Sequence, residues 1–157
     1  MISLNLFNDE VYNLNNIVFD FNGVLAENGR IAPEVKKLLK QLVSTISISV
    51  ITADTFGTAQ EELSDIEGVR LIILPAESNG NEKAHYVQKW GAETTAVVGN
   101  GANDQPMFSI ARLKVCVIGH EGASSGIVAA ANIVVTSPED AIRLFMNVKR
   151  LQATLRS

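Results

Sequence analysis

From Ile17 onward the chain alternates two hydrophobic patterns. Short, nearly continuous apolar runs rich in β-branched residues occupy 17–20, 46–52, 69–74, 94–99, 114–118 and 133–135. Runs of that length and composition predict strands buried on both faces. Helical periodicity fills the intervals. Residues 33–44 carry Pro33 where a first helical turn tolerates it, and Val35, Leu38, Leu39 and Leu42 fall on one face. A helix over 56–66 takes Thr55 as its N-cap, and one over 82–90 ends before Gly91. Shorter helices are predicted at 103–111 and 124–131, and a longer one at 138–150. Strand–helix alternation of this kind requires parallel strands joined by crossover helices. The fold class is therefore α/β, a three-layer α/β/α Rossmann-like sandwich with a mainly parallel sheet.

The first 15 residues follow a different rule. Ile2, Leu4 and Leu6 alternate with polar residues, Asn8-Asp9 marks a turn, and Val11-Tyr-Asn-Leu14 follows. This predicts a small N-terminal β-hairpin at the domain edge. Connections are short throughout, so residues 1–157 are expected to form one domain. Neither 24–31 nor 75–82 has room for a cap domain.

Composition narrows the function classes. At 46% hydrophobic and 19% charged residues the chain resembles an ordinary globular protein. No apolar run approaches the roughly 18 residues of a membrane helix, and the N-terminus lacks the marks of a signal peptide. A lone Cys116 cannot pair within the chain, which points to a reducing, cytoplasmic setting. The net charge of −4, without a basic run, argues against nucleic acid or a membrane surface as partner.

Open α/β sheets bind ligands at the carboxyl ends of their strands. There stand Ile17-Val-Phe-Asp-Phe-Asn-Gly-Val24, Val50-Ile-Thr-Ala-Asp-Thr55, then Lys83, then Val97-Val-Gly-Asn-Gly-Ala-Asn-Asp-Gln-Pro106. This ordered set resembles the four motifs of the haloacid dehalogenase superfamily. Thr52-Ala-Asp54 and the segment 99–106 further resemble the phosphorylation-domain motifs of P-type ATPases, and the chain looks like their small soluble relatives over nearly its whole length.

The residue chemistry agrees with that likeness. A carboxylate can attack phosphorus and split one difficult displacement into two easier ones, and Asp20 is placed for that role, with Gly23 permitting the turn after it. Thr52 would donate its hydroxyl to a phosphoryl oxygen, and Lys83 would balance charge on the nucleophile and the transferring group. The resemblance adds Ala53 and Asn103 to the phosphate-binding set. It also implies Mg2+, held by Asp20, the backbone carbonyl of Asn22, and the pair Asn100 and Asp104.

Two positions depart from the usual pattern. Asn100 stands where a metal-binding acid is expected, which removes one negative charge and predicts weaker magnesium binding. Asn22 stands where most phosphatases of this superfamily place an aspartate as acid and base, and an amide cannot exchange a proton at neutral pH. General acid–base catalysis is worth about 10²–10⁴-fold. The expected function is thus a slow magnesium-dependent phosphohydrolase acting through an aspartyl phosphate on Asp20. The alternative is a catalytically weak or inactive binding or sensor protein on the same fold. An ion pump lacks its membrane segment here, and dehalogenase chemistry fits the motifs less well. The absent cap implies an open site for a phosphorylated substrate, small or macromolecular, and capless relatives often form homo-oligomers. His85 and His120 show no metal-site spacing, Cys116 reads as core, and Trp90 as packing.

Overall fold

In the computed structural model, which describes residues 1–7 and 10–156, the chain enters through an antiparallel hairpin of β1 (Ile2–Asn5) and β2 (Val11–Leu14). Alternation sets its register: Ile2, Leu4 and Leu14 are buried, while Ser3 and Asn5 face solvent. The expected turn at Asn8-Asp9 lies outside the described residues.

Next come β3 (Asn16–Phe19), a two-stranded antiparallel pair of β4 (Ala26–Glu27) and β5 (Arg30–Ile31), α1 (Pro33–Leu42), β6 (Ser47–Thr52), α2 (Ala59–Leu63) and β7 (Val69–Ile73). The second half runs α3 (Asn81–Trp90), β8 (Thr95–Gly99), α4 (Gln105–Ile110), β9 (Leu113–Val117), α5 (Ser125–Ala130), β10 (Ile133–Val135), α6 (Pro138–Met146) and α7 (Val148–Leu155). Six strands form one parallel sheet in the order β10-β9-β8-β3-β6-β7. The chain builds outward from β3 to β7, then crosses over and builds outward again from β8. Strand order therefore reverses beside β3, and the crevice at its carboxyl end is where such sheets bind ligands.

The pleat sorts side chains into two cores. Ile17 and Phe19 point to one face, where they meet Leu39 and Leu42 of α1 and Ile142 and Phe145 of α6. Phe19 and Phe145 pack edge to face, with ring centroids 6.5 Å apart. Val18 points to the other face and joins Val87, Phe108, Cys116 and Ile127 from α3, α4, β9 and α5. Three layers follow directly from this alternation.

Three segments differ from the expected pattern. Helix 138–150 is two helices, because Asn147 leaves helical geometry (φ −129°, ψ 86°) and its side chain caps α7 by accepting from the Arg150 amide at 3.0 Å. The helix expected over 56–66 contracts to α2. Its first turn is capped by Asp54 rather than Thr55: Asp54 Oδ1 accepts from the Thr58 and Ala59 amides at 3.0 and 3.1 Å. The segment 24–31, expected as plain loop, contains β4 and β5 joined at Asn28-Gly29. Both of these residues have positive φ (48° and 76°), the signature of a two-residue type I′ turn. No helix among the described residues is long and apolar enough to cross a membrane.

Candidate active site

Asp20 directly follows β3, and its amide donates to the Val98 carbonyl at 2.9 Å, so the sheet itself fixes its backbone. Lys83, in the first turn of α3, reaches across the crevice. Its Nζ donates to Asp20 Oδ1 at 2.8 Å and to Asp104 Oδ1 at 2.7 Å. The Lys83 and Asp104 side chains are 2% and 0% exposed, and that of Asp20 is 11% exposed. Lys83 is thus a buried counter-charge and not a solvated helix residue. Burial alone would lower its pKa, but the two carboxylates outweigh burial and hold it above the ordinary lysine value.

Two carboxylates facing one ammonium leave an excess negative charge. Burial, and then the neighbouring Asp104, push Asp20 up to about 6, against the opposing pull of Lys83. Near neutral pH Asp20 is still mostly ionised, yet at an energetic cost. Such a group is poised to gain from an added cation.

Asp104 is held by its own motif. Its Oδ2 accepts from the Asn100 and Gly101 amides at 2.9 and 3.0 Å. A Cβ on Gly99 would lie 2.5 Å from that oxygen, so only glycine lets the carboxylate fold back under the strand end. Both oxygens of Asp104 are therefore engaged. Asn103, by contrast, is exposed, with its Oδ1 turned back over Gly101.

On the opposite wall Thr52 ends β6 and is 3% exposed. Its Oγ1 accepts from the Asp54 amide at 2.9 Å, which leaves the hydroxyl proton free to donate. Ala53 follows it at the crevice edge, and half-exposed Phe56 stands on the rim. Asn22 lies beneath the β4–β5 pair, its Oδ1 accepting from the Gly29 amide at 3.0 Å. The Asn100 amide donates to the Gly122 carbonyl at 3.2 Å, so its Oδ1 is turned away from Gly122. A groove of about 680 Å³ opens beside the triad rather than over it; Gly23 and Glu121 line it, but Asp20, Thr52 and Lys83 do not.

Asp20, Lys83 and Asp104 are thus brought into contact at the switch point of a six-stranded parallel sheet, with no lid beyond a short hairpin among the described residues. A solved structure described as a HAD-family hydrolase, from Streptomyces avermitilis, superposes at a TM-score of 0.68 over 91% of this chain and 88% of its own, at 18% identity. The chain has the haloacid dehalogenase fold. The 3-deoxy-D-manno-octulosonate 8-phosphate phosphatase of Moraxella catarrhalis, solved with magnesium, phosphate and its sugar, shares that fold at a TM-score of 0.72 and 12% identity, over 90% of this chain and 91% of its own. The cobalt-bound deoxy-D-mannose-octulosonate 8-phosphate phosphatase of Haemophilus influenzae does so at 0.67 and 19%, over 91% and 90%. No protein-family model matches. In sequence, an uncharacterised protein of Methanocaldococcus jannaschii is 46% identical over 59 residues, which cover 38% of this chain and 63% of that one.

Within this haloacid dehalogenase fold, two site-bordering residues, Glu62 and Glu121, carry no motif signal. Glu62 of α2 pins the hairpin, accepting from the Ile31 amide and from Arg30 Nη1, both at 2.9 Å. Asp54 caps α2, and Glu121 projects over Gly23. Glu62 and Glu121 act from loops and helices distant in sequence, so only the fold reveals them.

Proposed function

We propose that the chain is a magnesium-dependent phosphohydrolase that forms an aspartyl phosphate on Asp20 and hydrolyses it slowly. The observation that carries this reading is the buried Lys83 ammonium bonded to Asp20 and Asp104 at the crevice where strand order reverses.

The residues present fit a hard divalent cation. Asp20 has an oxygen not used by Lys83, Asn100 has an amide oxygen turned away from Gly122, and no described residue donates to the Asn22 carbonyl. All three are the oxygen donors magnesium prefers. Among the described residues no group of three or more His, Cys, Asp or Glu is placed to hold a metal. With both oxygens occupied, Asp104 fits an anchor for Lys83 better than a ligand. When bound, the metal would neutralise charge between nucleophile and phosphoryl group.

Chemistry then falls to the chain's own atoms. The free oxygen of Asp20 attacks phosphorus; the bond to the leaving oxygen breaks, and an acyl phosphate forms. Thr52 donates its hydroxyl to a phosphoryl oxygen, the Ala53 amide lies beside it, and Lys83 balances the developing charge. Asn22 can neither protonate the leaving oxygen nor take a proton from the attacking water, and its Oδ1 is already held by Gly29. Substrates with good leaving groups are therefore favoured, and water should release phosphate from Asp20 slowly. The likeness to soluble relatives of the P-type ATPases fits a long-lived phosphoenzyme. The open site suits a phosphorylated small molecule or macromolecule in the cytoplasm, and a homo-oligomer could supply the missing wall.

The test is intact-protein mass after mixing with acetyl phosphate and magnesium, quenched in acid. Wild type should gain one phosphate and Asp20→Asn none, while Asn22→Asp should lose the adduct at least tenfold faster, at the low end of the ~10²–10⁴-fold range for acid–base catalysis. Neither adduct nor released phosphate would leave the binding-protein reading, which Asn22 and Asn100 favour, as the better one.

A further inference from the structure

Asn22 cannot move a proton, but its amide has two ends and the fold uses only one of them. Oδ1 accepts from the Gly29 amide at 3.0 Å. Gly29 is itself held from the other side. Its carbonyl accepts from Thr58 Oγ1 at 2.6 Å, and a Cβ on it would lie 2.7 Å from the Phe56 Cβ. A fixed donor at Gly29 orients the Asn22 amide with its oxygen towards the hairpin and its nitrogen away from it. Nδ2 has no acceptor among the described residues, yet no buried side-chain nitrogen or oxygen there lacks a partner. Nδ2 is therefore accessible, with two N–H donors free.

The backbone puts this donor beside the nucleophile. Only Phe21 separates Asp20 from Asn22, and two residues span at most roughly 7 Å. The Phe21 side chain is fully buried in the core on the α1 and α6 side, whereas Asp20 stands at the crevice and Asn22 is partly exposed. The segment is also stiff. The Phe21 carbonyl accepts from the Leu25 and Ala26 amides, both at 2.9 Å, and the Gly23 amide donates to the Ala26 carbonyl at 2.8 Å. Donors fixed before the reaction, next to a place where negative charge develops, are the arrangement that stabilises a departing anion.

We propose that Asn22 is a catalytic hydrogen-bond donor in the first step, its Nδ2 donating to the oxygen that leaves phosphorus. This rests on the aspartyl-phosphate reading given above. The free Asp20 oxygen forms its bond to phosphorus, the bond from phosphorus to the leaving oxygen breaks, and both electrons stay on that oxygen. Asn22 keeps its protons throughout. A substrate class follows from this, because the leaving group must depart as a stable anion that accepts from an amide. A carboxylate does so, and the alkoxide of a phosphorylated sugar, which needs a proton, does not. The site is matched to acyl phosphates.

Loss of acetyl phosphate, followed with the full chain in excess and magnesium present, reads the first step whatever the fate of the adduct. Asp20→Asn supplies the blank. Asn22→Asp keeps an acceptor for Gly29 and removes the donors, while Asn22→Ala removes the donors without adding charge. Both should lower the maximal rate about tenfold, less than the ~10²–10³-fold cost of losing an oxyanion donor in an enclosed site, because Asn22 is partly exposed. Charge repulsion alone would act only in Asn22→Asp, and release of the hairpin only in Asn22→Ala, so a loss shared by both belongs to the donor. Asn22→Asp thus slows the first step while it speeds the second. A maximal rate within about twofold of wild type in either variant overturns this proposal and leaves the aspartyl-phosphate reading standing. No loss of acetyl phosphate above the blank in wild type overturns that reading and this proposal with it.

Discussion

At the scale of single residues, the site is maintained against the stability of the fold. Asp20 carries a charge in a buried place beside another carboxylate, and its pKa rises from 3.8 to about 6. A carboxyl group whose folded value is raised binds its proton more tightly in the native state than in the unfolded one. Its contribution to stability is therefore full below about pH 4 and is lost as pH rises through about 6. Replacing it with a neutral isostere should remove that cost. Asp20→Asn is expected to abolish phosphate uptake and yet to melt higher than wild type at pH 7. The gain should be on the order of 1–3 kcal/mol, or several degrees for a chain of this size. The two melting temperatures should converge as pH falls from 6 towards 4, which thermal denaturation across that range would measure. A lower melting temperature for Asp20→Asn at pH 7 would mean that the ion pair with Lys83 outweighs the burial of charge. The nucleophilic role proposed for Asp20 would explain why a costly aspartate stands where asparagine is expected to fold better.

At the scale of elements, periodicity decided most of what could be read beforehand. The six strands of the sheet stand within a residue or so of their apolar runs, because strands buried on both faces leave a signal in every residue. Short or locally capped elements were less legible. The hairpin at 24–31 is not legible from hydrophobic pattern, although Asn28-Gly29 is a strong turn signal, because its strands, Ala26–Glu27 and Arg30–Ile31, are too short to alternate visibly. The break at Asn147 sits inside a pattern that stays amphipathic on both sides, so hydrophobicity alone runs straight through it. Contacts between distant elements left no trace at all, and Glu62 is the clearest case. Burial alone would raise its pKa. The Ile31 amide, Arg30 and Lys36 together bring it below the ordinary carboxylate value instead, so it holds the hairpin as a charged clamp. Glu62→Ala should leave the Ile31 amide without its acceptor and cost about 1–3 kcal/mol. Hydrogen exchange should then accelerate at Ile31 and Gly29 while the amides of β3 and β8, at the centre of the sheet, exchange as before. Equal acceleration throughout would show that Glu62 supports the whole fold and not the hairpin alone.

At the scale of the molecule, the same triad that defines the candidate site also joins the two halves of the chain. Asp20 belongs to the first strand of the sheet, Lys83 to the helix by which the chain crosses over, and Asp104 to the turn after the strand that begins the second half. Motif order made the membership of this triad legible, since Asp20, Lys83 and the Asp104 segment follow one another as in the motif set that the sequence resembles. What the order could not convey is that Asp104 is wholly enclosed and bonded to Lys83 and two backbone amides, because that depends on Gly99 admitting the carboxylate beneath the strand end. The consequence is structural as well as chemical. Removing Lys83 leaves two largely buried carboxylates facing each other, and breaking one partner from a buried ion pair typically costs about 3–5 kcal/mol. Lys83→Met should accordingly lower the melting temperature by roughly 10 °C at neutral pH, at a few degrees per kcal/mol for a domain of this length. The loss of side-chain volume is small, so the cause would be orphaned charge and not a cavity. The double variant Lys83→Met, Asp104→Asn distinguishes the two. With the facing charge removed and an acceptor oxygen kept for the Asn100 and Gly101 amides, it should regain part of the lost stability and melt above the single variant. If it instead melts lower, as additive damage would require, packing of the lysine stem and not its charge holds the halves together.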